Sequence, residues 1–223
     1  MRKLIIAIDG PSGAGKGTVA RAIAETLGYR HIDSGAMYRA IAWKSLRDGM
    51  ALDDEESVAR TAERSQIEMI GGRTTIDGED VTRAIRTPEI DRAAASVARL
   101  PKVRQILVAR QRRLGDAGGI VMEGRDIGTV VFPDADVKIY LDASADERAR
   151  RRANDPAHSG VPAQVSDVAT LLSERDRLDQ TRTASPLYAA PDARFVDTTG
   201  KDVEDVVQEV MEIVNEKGLG ARG

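Results

Sequence analysis

Between an apolar run and an amphipathic stretch lies the segment GPSGAGKGT, Gly10–Thr18. It fits the pattern G-x-x-x-x-G-K-[S/T] through Gly10, Gly15 and Lys16, but position 17 is glycine and the hydroxyl arrives one residue late, at Thr18. A glycine-rich turn opening a helix points several backbone N–H groups at one place, where they attract phosphate. Glycines are needed because side chains would block the approach, and the lysine brings a charge to the terminal phosphate oxygens. The candidate phosphate cradle is therefore Gly10, Pro11, Ser12, Gly13, Ala14, Gly15, Lys16, Gly17 and Thr18.

A second set of residues could hold another anion. Arginine suits phosphate better than lysine because its planar fork binds two oxygens at once. Ser34 and Arg39 flank a loop–helix junction in DSGAMYRA, and Arg125 follows a buried-looking strand in EGRD. Taken singly, each such arginine is more commonly a surface charge, and Asp179 with Arg182 could simply pair at i,i+3 on an exposed helix.

The elements that must position these groups follow from periodicity. Leu4–Ile8, GGIVME, VKIYLDAS and RFVDTT read as buried strands. Lys16–Leu27 carries a helical stripe closed by Gly28, and Ser34–Leu46, a segment opening at Asp53–Glu56, two stretches after Pro88 and Pro101, a run from about Gln164 to Arg182, and Asp202–Lys217 ending at Gly218 read as helices. Alternating strands and helices imply a parallel sheet covered on both faces. QIEMIGGRTTIDGEDV alternates around Gly71-Gly72 and Asp77-Gly78, which signals a small antiparallel insert. NDPAHSGVP, Asn154–Pro162, is a break rich in turn residues.

Composition narrows the chemistry. The 223 residues include no cysteine and two histidines, so thiolate chemistry is excluded and a histidine-built metal site disfavoured. A net charge of −3 argues against general nucleic-acid affinity. No apolar run is long enough to cross a membrane or serve as a signal peptide, so the expectation is a cytoplasmic protein. No N-K-x-D guanine-reading sequence is present. Two basic runs stand out: Arg110–Arg113, read as a solvated face, and the arginines within ERARRR, Glu147–Arg152.

The form GxxGxGKGT, together with DSGAMYRA, GRDIGTVVFPDA, RDRLDQTR, IRTPE and LPKVR, resembles the bacterial cytidylate kinase family over nearly the whole chain. The resemblance implies an α/β P-loop kinase core, a parallel sheet flanked by helices over about 1–59, 96–147 and 163–223. It adds a small nucleotide-binding insert at about 60–95 and a lid at about 148–162. It implies phosphoryl transfer from MgATP to CMP or dCMP by a monomer, in pyrimidine nucleotide metabolism, without nucleic-acid or membrane partners. By resemblance Ser34, Arg39, Arg125 and Arg182 hold the CMP phosphate, Arg104 and Asp126 read the base, and Arg175 and Asp179 meet the sugar. Lys16, Arg125, Arg148 and Arg152 are the expected catalytic cations, with Arg151 a further lid candidate. Thr18 is expected at the α-phosphate, leaving Mg²⁺ mostly to β/γ oxygens and water, with no protein ligand identified. One departure concerns the base: the family commonly has serine nine positions before Arg104, where this chain has Ala95 beside Ser96. Either Ser96 takes over or one base contact is missing. The rival readings are another small-molecule kinase, such as a shikimate or adenylate kinase, and a nucleotide-binding regulator without turnover.

Overall fold

A five-stranded parallel sheet organises the chain in the computed structural model, which describes residues 3–155 and 164–220. Strand β1, Ile5–Asp9, leads through the glycine loop into α1, Lys16–Leu27. Gly28 ends that helix in the left-handed conformation, at φ 64°, which glycine adopts without a steric penalty. Then come β2, Arg30–Asp33, and α2, Ser34–Arg47, whose first turn is capped by Asp33 accepting from the Ala36 amide at 2.9 Å. Strands β6, Ile120–Glu123, β7, Val137–Asp142, and β8, Arg194–Asp197, complete the sheet in the order β2-β6-β1-β7-β8.

Between β2 and β6 lies the insert. Asp54 caps α3, Glu55–Arg64, and a three-stranded antiparallel sheet follows, formed by β3, Ile67–Ile70, β4, Arg73–Ile76, and β5, Glu79–Asp80. Both expected turns are present: Gly71 and Gly72, and Asp77 and Gly78, all have positive φ, as two-residue hairpins require. Helices α4, Pro88–Val97, and α5, Pro101–Gly115, each begin on proline, where a missing N–H does no harm. After β7 come α6, Ala145–Ala153, α7, Val165–Thr181, and finally α8, Val203–Gly220.

Alternation along β1 assigns the two faces. Ile6 and Ile8 pack with Val19, Ile23, Val210 and Val214 of α1 and α8, while Ala7 turns to Ile32, Met122, Val108 and Ile127. A third cluster joins Met37 and Ile41 of α2 to Val58, Ile76, Ile90, Val103 and Leu107. The antiparallel sheet and α4 thus share one core with α2 and α5, which ties the insert to the frame carrying the arginines.

The structure departs from the sequence reading in five places. The short strand β2 was not anticipated, and β1 begins at Ile5 and runs through Asp9. Residues Ile127–Val131 form a π-helical turn where no element was expected, and α8 continues past Gly218. The lid expected at 148–162 overlaps the end of α6, while positions 156–162 lie outside the described residues.

Because Leu107 is fully buried between α2 and α3, Leu107→Ala should lower unfolding free energy by about 2–5 kcal/mol, measured by urea denaturation. A loss below about 1 kcal/mol would mean that the shared core does not hold the insert.

Candidate active site

At the carboxyl end of the sheet opens a cavity of about 810 Å³, lined by both the glycine loop and the arginine set. Open parallel sheets place their sites here, where loops from neighbouring strands converge. The glycine at the end of β1 is required sterically: a Cβ on Gly10 would lie 1.9 Å from the Leu141 carbonyl oxygen. Gly15 caps α1 at φ 88°, leaving the first amides of the helix unobstructed. Ser12 through Thr18 line the cavity; Gly10 and Pro11 support the loop from behind, Pro11 by accepting a hydrogen bond from Lys16 Nζ at 2.7 Å.

Lys16 is almost wholly buried, and burial pulls its pKa from 10.5 down to about 7, with Arg125 adding repulsion. An anion in the loop would reverse both effects.

Gly17 has a steric explanation. A Cβ there would lie 2.9 Å from Oε1 of Glu123, at the end of β6. Glu123 is itself held by His31 Nε2 at 3.0 Å. The position occupied by a hydroxyl in the usual pattern is here taken up by an acidic side chain from the neighbouring strand.

The second set of residues does converge. Arg39, Arg104, Arg125, Asp126, Arg175, Asp179, Arg182 and Ser34 all line the same cavity as Lys16. Each arginine is seated on a carboxylate: Arg39 on Asp33 at 2.7 Å, Arg125 on Asp179 at 2.9 Å, and Arg104 on Asp126. Arg182 lies 3.7 Å from both Asp126 and Asp179, and the Asp179–Arg182 pair is buried, not the exposed helical pair that the spacing also allowed. The seating leaves donors over. Arg39 Nε, Arg175 Nε and Arg182 Nη2 are buried without a hydrogen-bond acceptor among the described residues. Buried polar groups are nearly always satisfied, so these leftover guanidinium N–H groups around one cavity make it a setting that favours an anion.

Arg104 and Asp126 are deeply buried, their side chains 5% and 8% exposed, with the Arg104 guanidinium 5.7 Å from the ring centroid of Tyr38. Burial also pushes the Tyr38 hydroxyl up to about 12, so it stays protonated. Ala94, Ala95 and Ala98 complete this end, whereas Ser96 turns away and donates to the Arg92 carbonyl at 3.4 Å. Of the two possibilities at this position, this side-chain placement favours a missing contact over replacement by Ser96.

The arginine run divides by role. Arg148 does not line the cavity: it donates to the Ser12 carbonyl at 3.0 Å and pairs with Asp176, tying the glycine loop to α7. Arg151 and Arg152 do line it, Arg151 bonding Thr198 at 2.8 Å and Arg152 bonding Asp91. The run Arg110–Arg113 is no simple solvated face. Arg110 donates to the carbonyls of Glu63 and Ser65 at the end of α3, and Arg112 to those of Val130 and Val131 in the π-helical turn.

Sequence reasoning missed Asp9, which accepts from the amides of Ile127 and Gly128 at 2.8 and 2.7 Å. It thereby fixes the loop bearing Arg125 and Asp126 against the glycine strand. Burial raises its pKa to about 6, and the two amides oppose that shift. Asp33, Arg86 and Glu123 were missed as well, and all three line the cavity. A carboxylate closing a buried strand beside the glycine loop was the available signal for Asp9.

Comparison with known proteins gives one family. The family model described as Cytidylate kinase matches residues 6–216. Cytidylate kinase of Desulfitobacterium hafniense (strain Y51) is 48% identical over 97% of this chain and 94% of its own length. That of Geobacillus kaustophilus (strain HTA426) is 47% identical over 97% and 98%. Among solved structures, a gluconokinase from Sinorhizobium meliloti 1021 aligns with a TM-score of 0.53 at 16% identity, covering 100% of this chain and 98% of its own, a likeness of fold alone.

The Lys16 ammonium should titrate near pH 7 in the empty protein and move upward when tripolyphosphate saturates the loop, followed by side-chain nitrogen NMR. A midpoint near 10.5 without ligand would contradict the buried, unpaired setting described for it.

Proposed function

The chain belongs to the cytidylate kinase family, and on that premise we propose that it transfers the terminal phosphoryl group of MgATP to CMP or dCMP, giving CDP or dCDP and ADP. The carrying observation is the cavity that combines a triphosphate cradle with a separate ring of unsatisfied guanidinium donors. A phosphoryl donor needs the first and a phosphate-bearing acceptor needs the second. Shikimate, whose only anionic group is one carboxylate, would use less of the ring than a nucleoside monophosphate.

In this reading the amides of Gly13–Thr18 and Lys16 hold the donor phosphates, with Thr18 at the α-phosphate. Ser34, Arg39, Arg125 and Arg182 hold the acceptor phosphate, while Arg175 and Asp179 meet the sugar. Arg104 and Asp126 read the base: the carboxylate accepts from the cytosine amino group, and it would repel the carbonyl that uracil presents there. No nucleophilic side chain is required. The residues align two anions, exclude water, and put fixed positive charge where the transferring phosphoryl develops its own. Arg151 and Arg152 are placed to supply that charge; Arg150, which also lines the cavity, is exposed and paired with Glu147, and Arg148 instead fixes the loop.

The site also fits Mg²⁺ brought in by the nucleotide. Among the described residues no cluster of three or more histidine or acidic side chains could hold a metal ion alone. Glu123, beside Gly17, is the residue that would hold its water shell. Bound Mg²⁺ would neutralise charge on the β/γ oxygens. No described helix is long and apolar enough to cross a membrane, which accords with the proposed cytoplasmic setting. We take the protein to act there as a monomer.

A coupled assay of ADP release across CMP, dCMP, UMP, AMP and shikimate tests the reading. CMP and dCMP should give turnover, with shikimate giving none; absence of ADP release with every acceptor would favour the nucleotide-binding regulator. The missing hydroxyl at Ala95 should narrow discrimination, since one hydrogen bond contributes about 0.5–1.5 kcal/mol. Ala95→Ser should therefore raise the CMP-to-UMP ratio of kcat/KM by about 2- to 10-fold. Ser96→Ala, altering a hydroxyl turned away from the cavity, should leave the ratio within about 2-fold, and a collapse of the ratio would place the base elsewhere.

A further inference from the structure

Asp91 sits on α4 and does not line the cavity, yet its carboxylate holds two arginines that do. Arg152, near the end of α6, donates from Nη2 to Asp91 Oδ2. Arg175, on α7, pairs from Nη1 with Asp91 Oδ1 at 3.1 Å. One side chain thus joins three helices at a point where its own exposure is 12% and that of each arginine 18%.

Two guanidinium groups this close and this buried repel each other, and water screens them little. A carboxylate between them removes that repulsion and fixes their spacing. It engages one terminal nitrogen of each fork, so the remaining donors keep a set direction. Arg175 Nε is one of the buried donors without an acceptor, and so is not used up by the pairing.

We propose that Asp91 is a positioning residue for phosphoryl transfer: from behind the cavity wall it aims Arg175 at the acceptor nucleotide and Arg152 at the transferring phosphoryl group. The role rests on the kinase reading above. Asp91 lies outside the cavity lining and acts on the substrates through the two arginines.

A double-mutant cycle in steady-state kinetics tests it. Asp91→Asn keeps the shape and removes the charge; it should lower kcat about 10- to 100-fold while KM for ATP stays within about 2-fold. KM for CMP should rise several-fold through Arg175. In an Arg152→Ala background the same substitution should lower kcat by less than about 3-fold, because one of the groups it aims is already gone. Asp91→Glu, which retains the charge, should recover at least half of the lost logarithm of kcat. Equal losses in the two backgrounds would overturn the role, as would wild-type kcat in Asp91→Asn or no recovery in Asp91→Glu. If Asp91→Asn does not fold, Asp91→Glu carries the test: a folded Glu variant with kcat below a hundredth of wild type overturns the proposal, and near-wild-type kcat that again depends on Arg152 supports it. Wild type inactive on CMP would overturn the kinase reading together with this role, whereas active wild type with additive losses overturns the role alone.

Discussion

Crowding cations around one cavity is the constraint from which the arrangement of this protein follows. Arginines from α2, α5, the loop after β6, α6 and α7 all face a space that also holds a buried lysine. In a poorly screened interior such a cluster would repel itself, and each cation would lose hydration. The solution here is a carboxylate behind these guanidinium groups: Asp33 for Arg39, Asp126 for Arg104, Asp179 for Arg125, and Asp91 shared by Arg152 and Arg175. Lys16 is the exception. It leans on the Pro11 carbonyl alone, and its pKa accordingly falls toward neutrality. Among the described residues no carboxylate lies in ion-pair contact with this lysine, so a bound phosphate would be its nearest counter-ion.

The fold serves this electrostatic arrangement by bringing strand ends together. Gly10 follows β1, Ser34 follows β2, and Gly124 to Asp126 follow β6, so adjacent parallel strands deliver the glycine loop and the Ser34 and Arg125 loops to one edge. Asp9 locks two of these loops in register through the Ile127 and Gly128 amides. Ser34 locks a third by donating to the Glu123 carbonyl at 2.6 Å. The insert helices contribute less to the sheet than to the cavity wall, since α4 brings Ala95 to the Arg104–Asp126 end and Asp91 to Arg152 and Arg175.

Elements with strong periodicity or punctuation were legible in the sequence. The apolar runs of β1, β6 and β7, the helix closed by Gly28 and the paired-glycine hairpins needed no tertiary information. Strand β2 escaped because four residues beginning Arg30-His31 show no apolar run; partnership with β6 makes it a strand. The π-helical turn escaped because Asp9, over a hundred residues earlier, supplies its amide partner. Among site residues, motif-borne arginines were legible, and their counter-ions were not. Asp91 and Asp33 resemble ordinary helix-start acids in sequence, and only folding shows that they face arginines on other elements. The same holds in reverse for Arg110 and Arg112, whose run resembles a solvated face but whose side chains cap distant carbonyls.

If the leftover donors of Arg39, Arg175 and Arg182 serve a phosphate-bearing acceptor, that phosphate must add affinity. Calorimetric titration with CMP and with cytidine, which differ only by that phosphate, measures it directly. Charge-assisted hydrogen bonds of about 1.5–3 kcal/mol each should make CMP bind at least about 100-fold more tightly than the nucleoside, with the advantage shrinking as salt is raised. Equal affinity for CMP and cytidine would contradict the account.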